Sequence, residues 1–196
     1  MFGSKIILSF QDTSFRKKLK NIFTKAGYTV VGEAEDGVNT LRMIRAMAPD
    51  LVILDYEIQG MNALELAKIV EEDHLAPIII ISTVWEQDLA EKARQSWIFA
   101  FMVRPLNEGN LLASAETAMM NFERMVQLEK EVSRLKDTIE TRKIVEKAKG
   151  LLMEKLDMSE AEAFRKMQHQ SMDKCIPMKQ VADAIILTYD INGKKK

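Results

Sequence analysis

The chain has 196 residues, of which 47% are hydrophobic and 29% charged, and its net charge is −1. This balance is typical of globular proteins, allows one large or two small domains, and excludes a disordered chain. The single cysteine excludes an intramolecular disulfide, and no apolar run approaches the 18 residues that a membrane span needs. We therefore expect a cytoplasmic protein with no membrane contact.

The charged residues are distributed unevenly along the chain. From Thr141 onward there are 12 Lys and Arg against 8 Asp and Glu, whereas the preceding residues carry 16 against 21. A basic C-terminal third joined to an acidic N-terminal part suggests a polyanionic partner at one end. The alternative is a solvated tail, because Lys194–Lys196 supply most of the excess.

Short apolar segments alternate with helical patterns over about the first 108 residues. Leu51–Leu54 and Ile78–Ile81 are unbroken apolar runs, as expected of strands that are buried on both faces of a parallel sheet. Three further strands are predicted at Lys5–Phe10, Tyr28–Val31 and Phe99–Val103. Five strands alternating with helices predict a doubly wound α/β sheet, in which sites form beyond the carboxyl ends of the strands.

Asp55 directly follows the third predicted strand, within the segment Asp50-Leu-Val-Ile-Leu-Asp-x4-Gly60-Met61. This part of the chain, about 110 residues, resembles the receiver domain of two-component response regulators. The resemblance implies that Asp55 is the phosphate acceptor and that a histidine kinase, or a sequestering sensor protein, acts upstream. It also implies switch roles for Ser82, Phe101 and Arg104.

The chemistry of this predicted site departs from the family pattern. In receivers, Mg²⁺ is held by oxygen ligands that include an acidic pair after the first strand. Here Phe10 and Gln11 occupy those places, and Asp12 could serve either as a metal ligand or as a helix cap. Arg104 stands where the family has a lysine before a proline. Two interpretations stay open: a degenerate receiver that is not phosphorylated, and one that still binds Mg²⁺ and is phosphorylated at Asp55.

A long helix is predicted to begin near Asn107 and to continue without a stop, because no proline or glycine occurs between Gly109 and Gly150. Apolar residues within it follow a heptad repeat, with leucine at one of the two core positions. They are Met125, Leu128, Val132, Leu135 and Ile139. The repeat favours a parallel two-stranded coiled coil and hence a homodimer. The alternative is one long helix packed within its own monomer.

Three amphipathic helices are predicted in the last third of the chain. The first carries the apolar stripe of Thr141–Leu156, the second begins at a capping box formed by Ser159 and Glu162, and the third begins at Pro177. Such short helices bury their apolar stripes against one another, so we expect a small helical bundle.

The sequence of this bundle resembles the ANTAR domain, an RNA-binding three-helix module of bacterial transcription antiterminators. The matching residues are Lys143-Ile-Val-Glu-Lys-Ala-Lys-Gly-Leu-Leu-Met153, Ser159-x-x-Glu-Ala-Phe164, Ser171-Met172 and Val181-Ala-x-Ala-Ile185. The resemblance implies that a protein dimer binds two small stem-loops in a leader transcript and prevents a terminator from forming.

Basic side chains of the bundle are the candidate RNA contacts, since cations neutralise backbone phosphates. They are Arg142, Lys143, Lys147, Lys149, Arg165, Lys166, Lys174 and Lys179. For each the alternative is a solvated helix surface or an ion pair with a nearby carboxylate such as Glu146. Tyr189, late in the third helix, is the candidate for stacking on an RNA base.

The sequence thus predicts a receiver-like domain (1–122), a coiled-coil linker (123–140), an ANTAR bundle (141–190) and a basic tail (191–196). The function predicted first is a non-enzymatic antitermination regulator that is controlled through the receiver-like domain. Two alternatives remain, a DNA-binding response regulator and a signalling adaptor that a partner protein sequesters. Trp85 and Trp97, which flank the predicted fourth helix of the receiver-like domain, would mark a partner-binding surface if exposed.

Overall fold

The computed structural model describes residues 3–84 and 98–193, and within these ranges it contains five strands and six helices. The strands are β1 (Lys5–Ser9), β2 (Thr29–Ala34), β3 (Leu51–Asp55), β4 (Ile78–Ser82) and β5 (Ile98–Val103). The helices are α1 (Thr13–Lys25), α2 (Gly37–Met47), α3 (Ala63–Glu72), α4 (Glu108–Leu156), α5 (Glu160–Asp173) and α6 (Met178–Gly193). Trp85, Trp97 and the tail Lys194–Lys196 lie outside the described residues.

The five strands form one parallel sheet in the order β2-β1-β3-β4-β5, which confirms the predicted doubly wound α/β fold. Successive side chains of a strand point to opposite faces, so β3 divides its apolar residues between two cores. Ile53 packs with Phe23 of α1 and Leu111 of α4, whereas Leu54 packs with Leu66 of α3 on the other face. Both faces of β3 are therefore covered, as its unbroken apolar run predicts.

The strand order places the ends of β1 and β3 side by side. These two strands pair in parallel, with Ser9 opposite Leu54 in the register. The chain leaves β1 toward β2 on one side and leaves β3 toward β4 on the other. In doubly wound sheets ligands bind at such a switch point, so Phe10 and Asp55 mark the edge where a site is expected.

The helix α4 continues for 49 residues without interruption. Its first turn is capped by Asn107, whose side-chain oxygen accepts a hydrogen bond from the Asn110 N–H at 3.1 Å. This confirms the predicted start and the absence of a stop before Leu156. None of the described helices is long and apolar enough to span a membrane.

The C-terminal helices enclose a small core of their own. Its fully buried members come from all three helices and are mainly small or flexible: Ala148, Leu152, Ala163, Met167, Val181 and Ala182. The predicted capping box is present, since the Ser159 N–H and hydroxyl donate to Glu162 and the Ser159 oxygen accepts from the Glu162 N–H. The helix α6 begins one residue after Pro177, whose carbonyl accepts the N–H of Gln180 at 2.9 Å.

The chain separates into two compact units, Met1–Gln127 and Leu128–Lys196. The first contains the sheet and the second contains the C-terminal helices. The finer boundaries expected from the sequence, at residues 122, 140 and 190, stay predictions.

Candidate phosphoacceptor edge and nucleic-acid interface

Asp55 lies at the carboxyl end of β3 and is paired with Arg104. The Asp55 Oδ2 accepts a hydrogen bond from Arg104 Nη2 at 2.7 Å, and the two side chains are 15% and 21% exposed. Arg104 follows β5, and its backbone N–H donates to the Ser82 carbonyl at 3.0 Å. The fold therefore brings together the predicted acceptor, the predicted lysine replacement and the residue expected to sense a phosphoryl group.

Two aromatic rings hold the guanidinium of Arg104. Its central carbon lies 3.7 Å from the Phe15 ring centroid and 5.7 Å from that of Phe10, within the range of cation–π attraction. The two rings meet edge to face at 5.3 Å, and Phe10 is completely buried. A cation and two rings thus occupy the edge where the family has carboxylates. Sequence reasoning identified the Phe10 substitution but not the contact of Phe15 with Arg104.

Asp12 has the second of its two predicted roles, since it caps α1. Its Oδ1 accepts hydrogen bonds from the N–H groups of Ser14 at 2.9 Å and Phe15 at 3.1 Å. Among the described residues, no group of three or more His, Cys, Asp or Glu is arranged to hold a metal ion. Phe10 supplies no oxygen ligand at this edge, and the cap of α1 uses one of the two carboxylate oxygens of Asp12, so the arrangement departs at two places from the oxygen-rich set that Mg²⁺ favours.

Arg16, which sequence reasoning missed, fixes the backbone at the end of β1. It is buried, and its Nη1 donates to the Phe10 carbonyl. Its remaining nitrogens bind two carboxylates of the neighbouring strand region, Glu33 at 3.2 Å and Glu35 at 2.9 Å. A hydrogen bond from Lys20 is the main cause that lowers the pKa of Glu33 below its ordinary value, so this carboxylate stays ionised to lower pH.

Besides Arg104, the two other predicted switch residues are packed into the structure. Ser82 is 3% exposed, and its hydroxyl accepts the N–H of Val84 at 3.2 Å. Phe101 is partly buried and meets the ring of Tyr56 edge to face at 6.5 Å. Tyr56 directly follows Asp55, so the aromatic pair adjoins the phosphoacceptor edge. Their switch roles stay predictions.

The predicted coiled-coil residues form an exposed apolar stripe on α4. Leu128 is 66% exposed and Ile139 is 56% exposed, and the two residues between them in the repeat, Val132 and Leu135, are about half exposed. Met125 is partly buried. A run of large apolar side chains in water is unfavourable, so this stripe is a candidate contact surface.

Most of the predicted RNA-binding cations are on the surface of the bundle. Lys143 and Lys147 lie one turn apart on α4, and both are exposed. Four others are also exposed: Arg142, Arg165, Lys166 and Lys174. Lys179 is partly buried and lies 3.5 Å from a carboxylate oxygen of Glu140. The exposed members of this set stay the candidate contacts for phosphate groups.

Lys149 differs from the other predicted contacts because it is only 7% exposed. Its ammonium lies 2.8 Å from Glu146 on the same helix and 2.7 Å from Glu160 on α5. The hydrogen bond to Glu146, which has the largest effect, and that to Glu160 raise the pKa of Lys149 above its ordinary value. The structure therefore places Lys149 between α4 and α5, where it joins the two helices.

Comparison with known proteins agrees with this division. The family model of the response regulator receiver domain matches residues 9–116, and that of the ANTAR domain matches residues 133–186. The chain is 33% identical over 184 residues to the transcriptional regulatory protein PdtaR of Mycobacterium tuberculosis, which covers 94% of this chain and 90% of that protein.

Two further matches cover the N-terminal unit. The chemotaxis protein CheY of Thermotoga maritima is 33% identical over 110 residues, which are 55% of this chain and 92% of that protein. The solved response regulator domain of Thermotoga maritima CheB shares the fold, with a TM-score of 0.55 at 21% identity over 60% of this chain and 96% of that one. The chain therefore belongs to the response regulators that combine an N-terminal receiver domain with a C-terminal ANTAR domain.

Proposed function

We propose that this chain is a transcription antitermination regulator that binds stem-loops of leader transcripts as a homodimer. The observation that carries the proposal is the set of exposed cations on the helices that match the ANTAR domain. The name of the M. tuberculosis relative, a transcriptional regulatory protein, supports a role in transcription.

Lys143 and Lys147 are the proposed main phosphate contacts, with Arg165 on the second helix of the bundle. All three are exposed basic side chains. RNA loops are recognised largely through splayed bases, while neighbouring cations neutralise the backbone and make the affinity depend on salt. Lys149 supports this surface indirectly, because it holds α4 against α5.

The homodimer is proposed to form along the exposed stripe of α4. Fully burying a Leu or Ile side chain contributes roughly 1.5–3 kcal/mol, and the stripe offers Leu128, Leu135 and Ile139 from each copy. Leucine at one core position of the heptad with β-branched residues at the other favours a parallel coiled coil of two helices. A parallel dimer would place two RNA-binding bundles at the same end of the coil, in keeping with a target of two stem-loops.

The receiver-like domain is proposed to act without phosphorylation. Three observations support this: the Asp55 pair with Arg104, the stacking of Arg104 on Phe15, and the burial of Phe10 at the position of the missing carboxylate. A protein that binds and sequesters this domain is then the proposed upstream partner, in place of a phosphorylating histidine kinase.

Fluorescence anisotropy of the full chain tests the RNA-binding proposal. The titration compares a labelled tandem stem-loop RNA with a length-matched DNA duplex at two salt concentrations. We expect micromolar or tighter binding of the RNA, weakened by Lys143→Ala with Lys147→Ala. Arg124→Ala with Lys130→Ala is the matched control, because it removes two exposed cations from the same helix outside the residues that match the ANTAR domain. Equal binding of both nucleic acids that disappears with salt would favour the adaptor, and preference for the duplex would favour a DNA-binding regulator.

Intact mass spectrometry tests the proposed phosphate independence. The full chain is incubated with Mg²⁺ and a small-molecule phosphodonor such as acetyl phosphate, and its mass is recorded before and after. We expect no adduct of one phosphoryl group. A stoichiometric adduct that is absent from Asp55→Asn would overturn the proposal, whatever the outcome of the RNA titration.

A further inference from the structure

A cavity of about 230 Å³ opens between the three helices of the bundle. The lining includes, from each helix, a pair of side chains that lie one helical turn apart. They are Leu152 and Leu156 from α4, Lys166 and Gln170 from α5, and Ile185 and Tyr189 from α6. The cavity lies within the C-terminal unit and is separate from the phosphoacceptor edge.

The cavity combines an apolar floor with a polar rim. Leu152 and Met167, which are 3% and 0% exposed, close its floor. The exposed side chains of Lys166 and Gln170 stand at its rim, and Tyr189 is partly buried in its wall. A ligand that fits this cavity has apolar faces to contact the floor, polar edges to bind the rim, and a negative charge beside it to pair with Lys166.

We propose that this cavity, here called the base pocket, binds a single nucleobase that is extruded from an RNA loop. The ring of Tyr189 stacks on the base, since every base offers a π face. The amide of Gln170 both donates and accepts hydrogen bonds, so it suits the mixed groups of a base edge. Lys166 pairs with a flanking phosphate. The inference rests on the proposed function and adds to it a recognition site distinct from the phosphate contacts on Lys143 and Lys147.

The size and charge of the base pocket favour a nucleobase over other occupants. Pockets for drug-sized ligands measure roughly 300–1,000 Å³, so a cavity of about 230 Å³ matches the size of one small ring system. Its described lining residues include one cation, Lys166, and no carboxylate. A negatively charged strand can therefore approach this rim without meeting a like charge from the lining.

Single-base fluorescence tests the base pocket in the full chain. The probe is a tandem stem-loop RNA that carries 2-aminopurine at one loop position at a time, because the emission of this base changes when it leaves or enters a stack. We expect one loop position to respond to the wild-type protein. Tyr189→Ala should remove that response and weaken RNA binding about tenfold, in line with the stacking contribution of one base. Tyr189→Phe keeps the ring and should retain both.

Two controls keep the result specific. Gln170→Ala should also weaken binding, whereas Gln168→Ala, which removes an exposed glutamine of the same helix outside the pocket lining, should not. An abasic nucleotide at the responding position should weaken wild-type binding but should leave the affinity of Tyr189→Ala unchanged. The unfolding midpoint of each variant establishes that it is folded. If Tyr189→Ala does not fold, the test uses Gln170→Ala.

The base pocket is overturned if the wild-type chain binds the RNA and both pocket variants match it in affinity and in fluorescence. It is also overturned if Tyr189→Ala changes only the oligomeric state, which would assign the cavity to a second copy of the chain. If the wild-type chain does not bind the RNA at all, the proposed function fails together with the pocket. These outcomes therefore separate the two proposals.

Discussion

The phosphoacceptor edge of the receiver domain and the surface of the C-terminal helices differ in how deeply their side chains are buried. At the edge, Asp55 is paired with Arg104 and Phe10 is completely buried. On the C-terminal helices, Leu128 and Ile139 are more than half exposed, and Lys143 and Lys147 are in water. The named side chains of the first region pack against other groups of the chain, whereas the second region exposes large apolar and cationic side chains to solvent. The proposed dimer and RNA contacts accordingly rest on the C-terminal helices.

The largest expected effect concerns Phe10, whose burial makes the phosphoacceptor edge part of the core. Phe10→Ala should lower the free energy of unfolding of the receiver unit by about 3–5 kcal/mol, because it removes a buried ring and leaves a cavity. Urea denaturation followed by circular dichroism measures the change. Val38→Ala, at a residue that is 49% exposed, is the control and should have little effect. A loss below about 1 kcal/mol for Phe10→Ala would show that this edge is not a packed region.

The next largest effect concerns the exposed stripe of α4. Leu128→Glu with Leu135→Glu should convert a dimer into a monomer, because four carboxylates would meet where four leucines pack. Analytical ultracentrifugation over a concentration series measures the dissociation constant, which should rise by about a hundredfold or more. Gln127→Glu with Ser133→Glu introduces the same charge at exposed positions outside the stripe and should leave the dimer intact. A wild-type chain that is monomeric at all concentrations would contradict the proposed assembly.

A smaller effect should distinguish Lys149 from Lys147. Lys149→Met removes the ion pairs with Glu146 and Glu160, so it should lower the unfolding midpoint of the bundle by several degrees. Lys147→Ala, at an exposed residue, should lower that midpoint less than Lys149→Met does and should weaken RNA binding. Thermal unfolding and RNA titrations of both variants check this contrast. If Lys149→Met weakens RNA binding without any change in stability, Lys149 contacts RNA directly and its framework role is wrong.

The smallest expected effect is a loss of bundle stability in acid. The hydrogen bond from Lys149 lowers the pKa of Glu160, and that from the Ser159 hydroxyl lowers the pKa of Glu162, both below their ordinary value of 4.5. A depressed carboxylate pKa contributes stability above about pH 4.5, and this contribution is lost as the pH falls through the lower folded-state pKa. The thermal unfolding midpoint of the bundle, measured at a series of pH values, should therefore fall once the pH is below 4.5. The fall should be smaller in Glu162→Gln. An equal drop in the variant would mean that other groups govern the acid response.

The strands and the outline of both units could be predicted from the sequence because their signals are local. Apolar runs identified β3 and β4, and the spacing of Ser159 and Glu162 identified the start of α5. Ends were less certain, as β2 shows by extending to Ala34 beyond the predicted Val31. Pairing with β1 adds hydrogen bonds there that the apolar pattern alone does not indicate.

The sites were harder to predict because their decisive contacts join distant residues. The stacking of Phe15 on Arg104 links residues 89 positions apart, and no local pattern signals it. Lys149 illustrates the same limit. Its partner Glu146 lies three residues away on the same helix, which the sequence shows, but its contact with Glu160 depends on the packing of α5 against α4. The base pocket likewise depends on the packing of three helices, although Tyr189 stood out as one of two aromatic residues from Thr141 onward.

The central claim is that the receiver domain acts without phosphorylation and is joined to an RNA-binding domain. The most direct test is an RNA titration before and after treatment with a phosphodonor. The affinity of the full chain for a tandem stem-loop RNA is measured by anisotropy before and after incubation with Mg²⁺ and acetyl phosphate, for the wild type and for Asp55→Asn. We expect micromolar or tighter binding with the same dissociation constant in all four measurements. An affinity that rises only after incubation, and only in the wild type, would show instead that phosphorylation of Asp55 controls RNA binding.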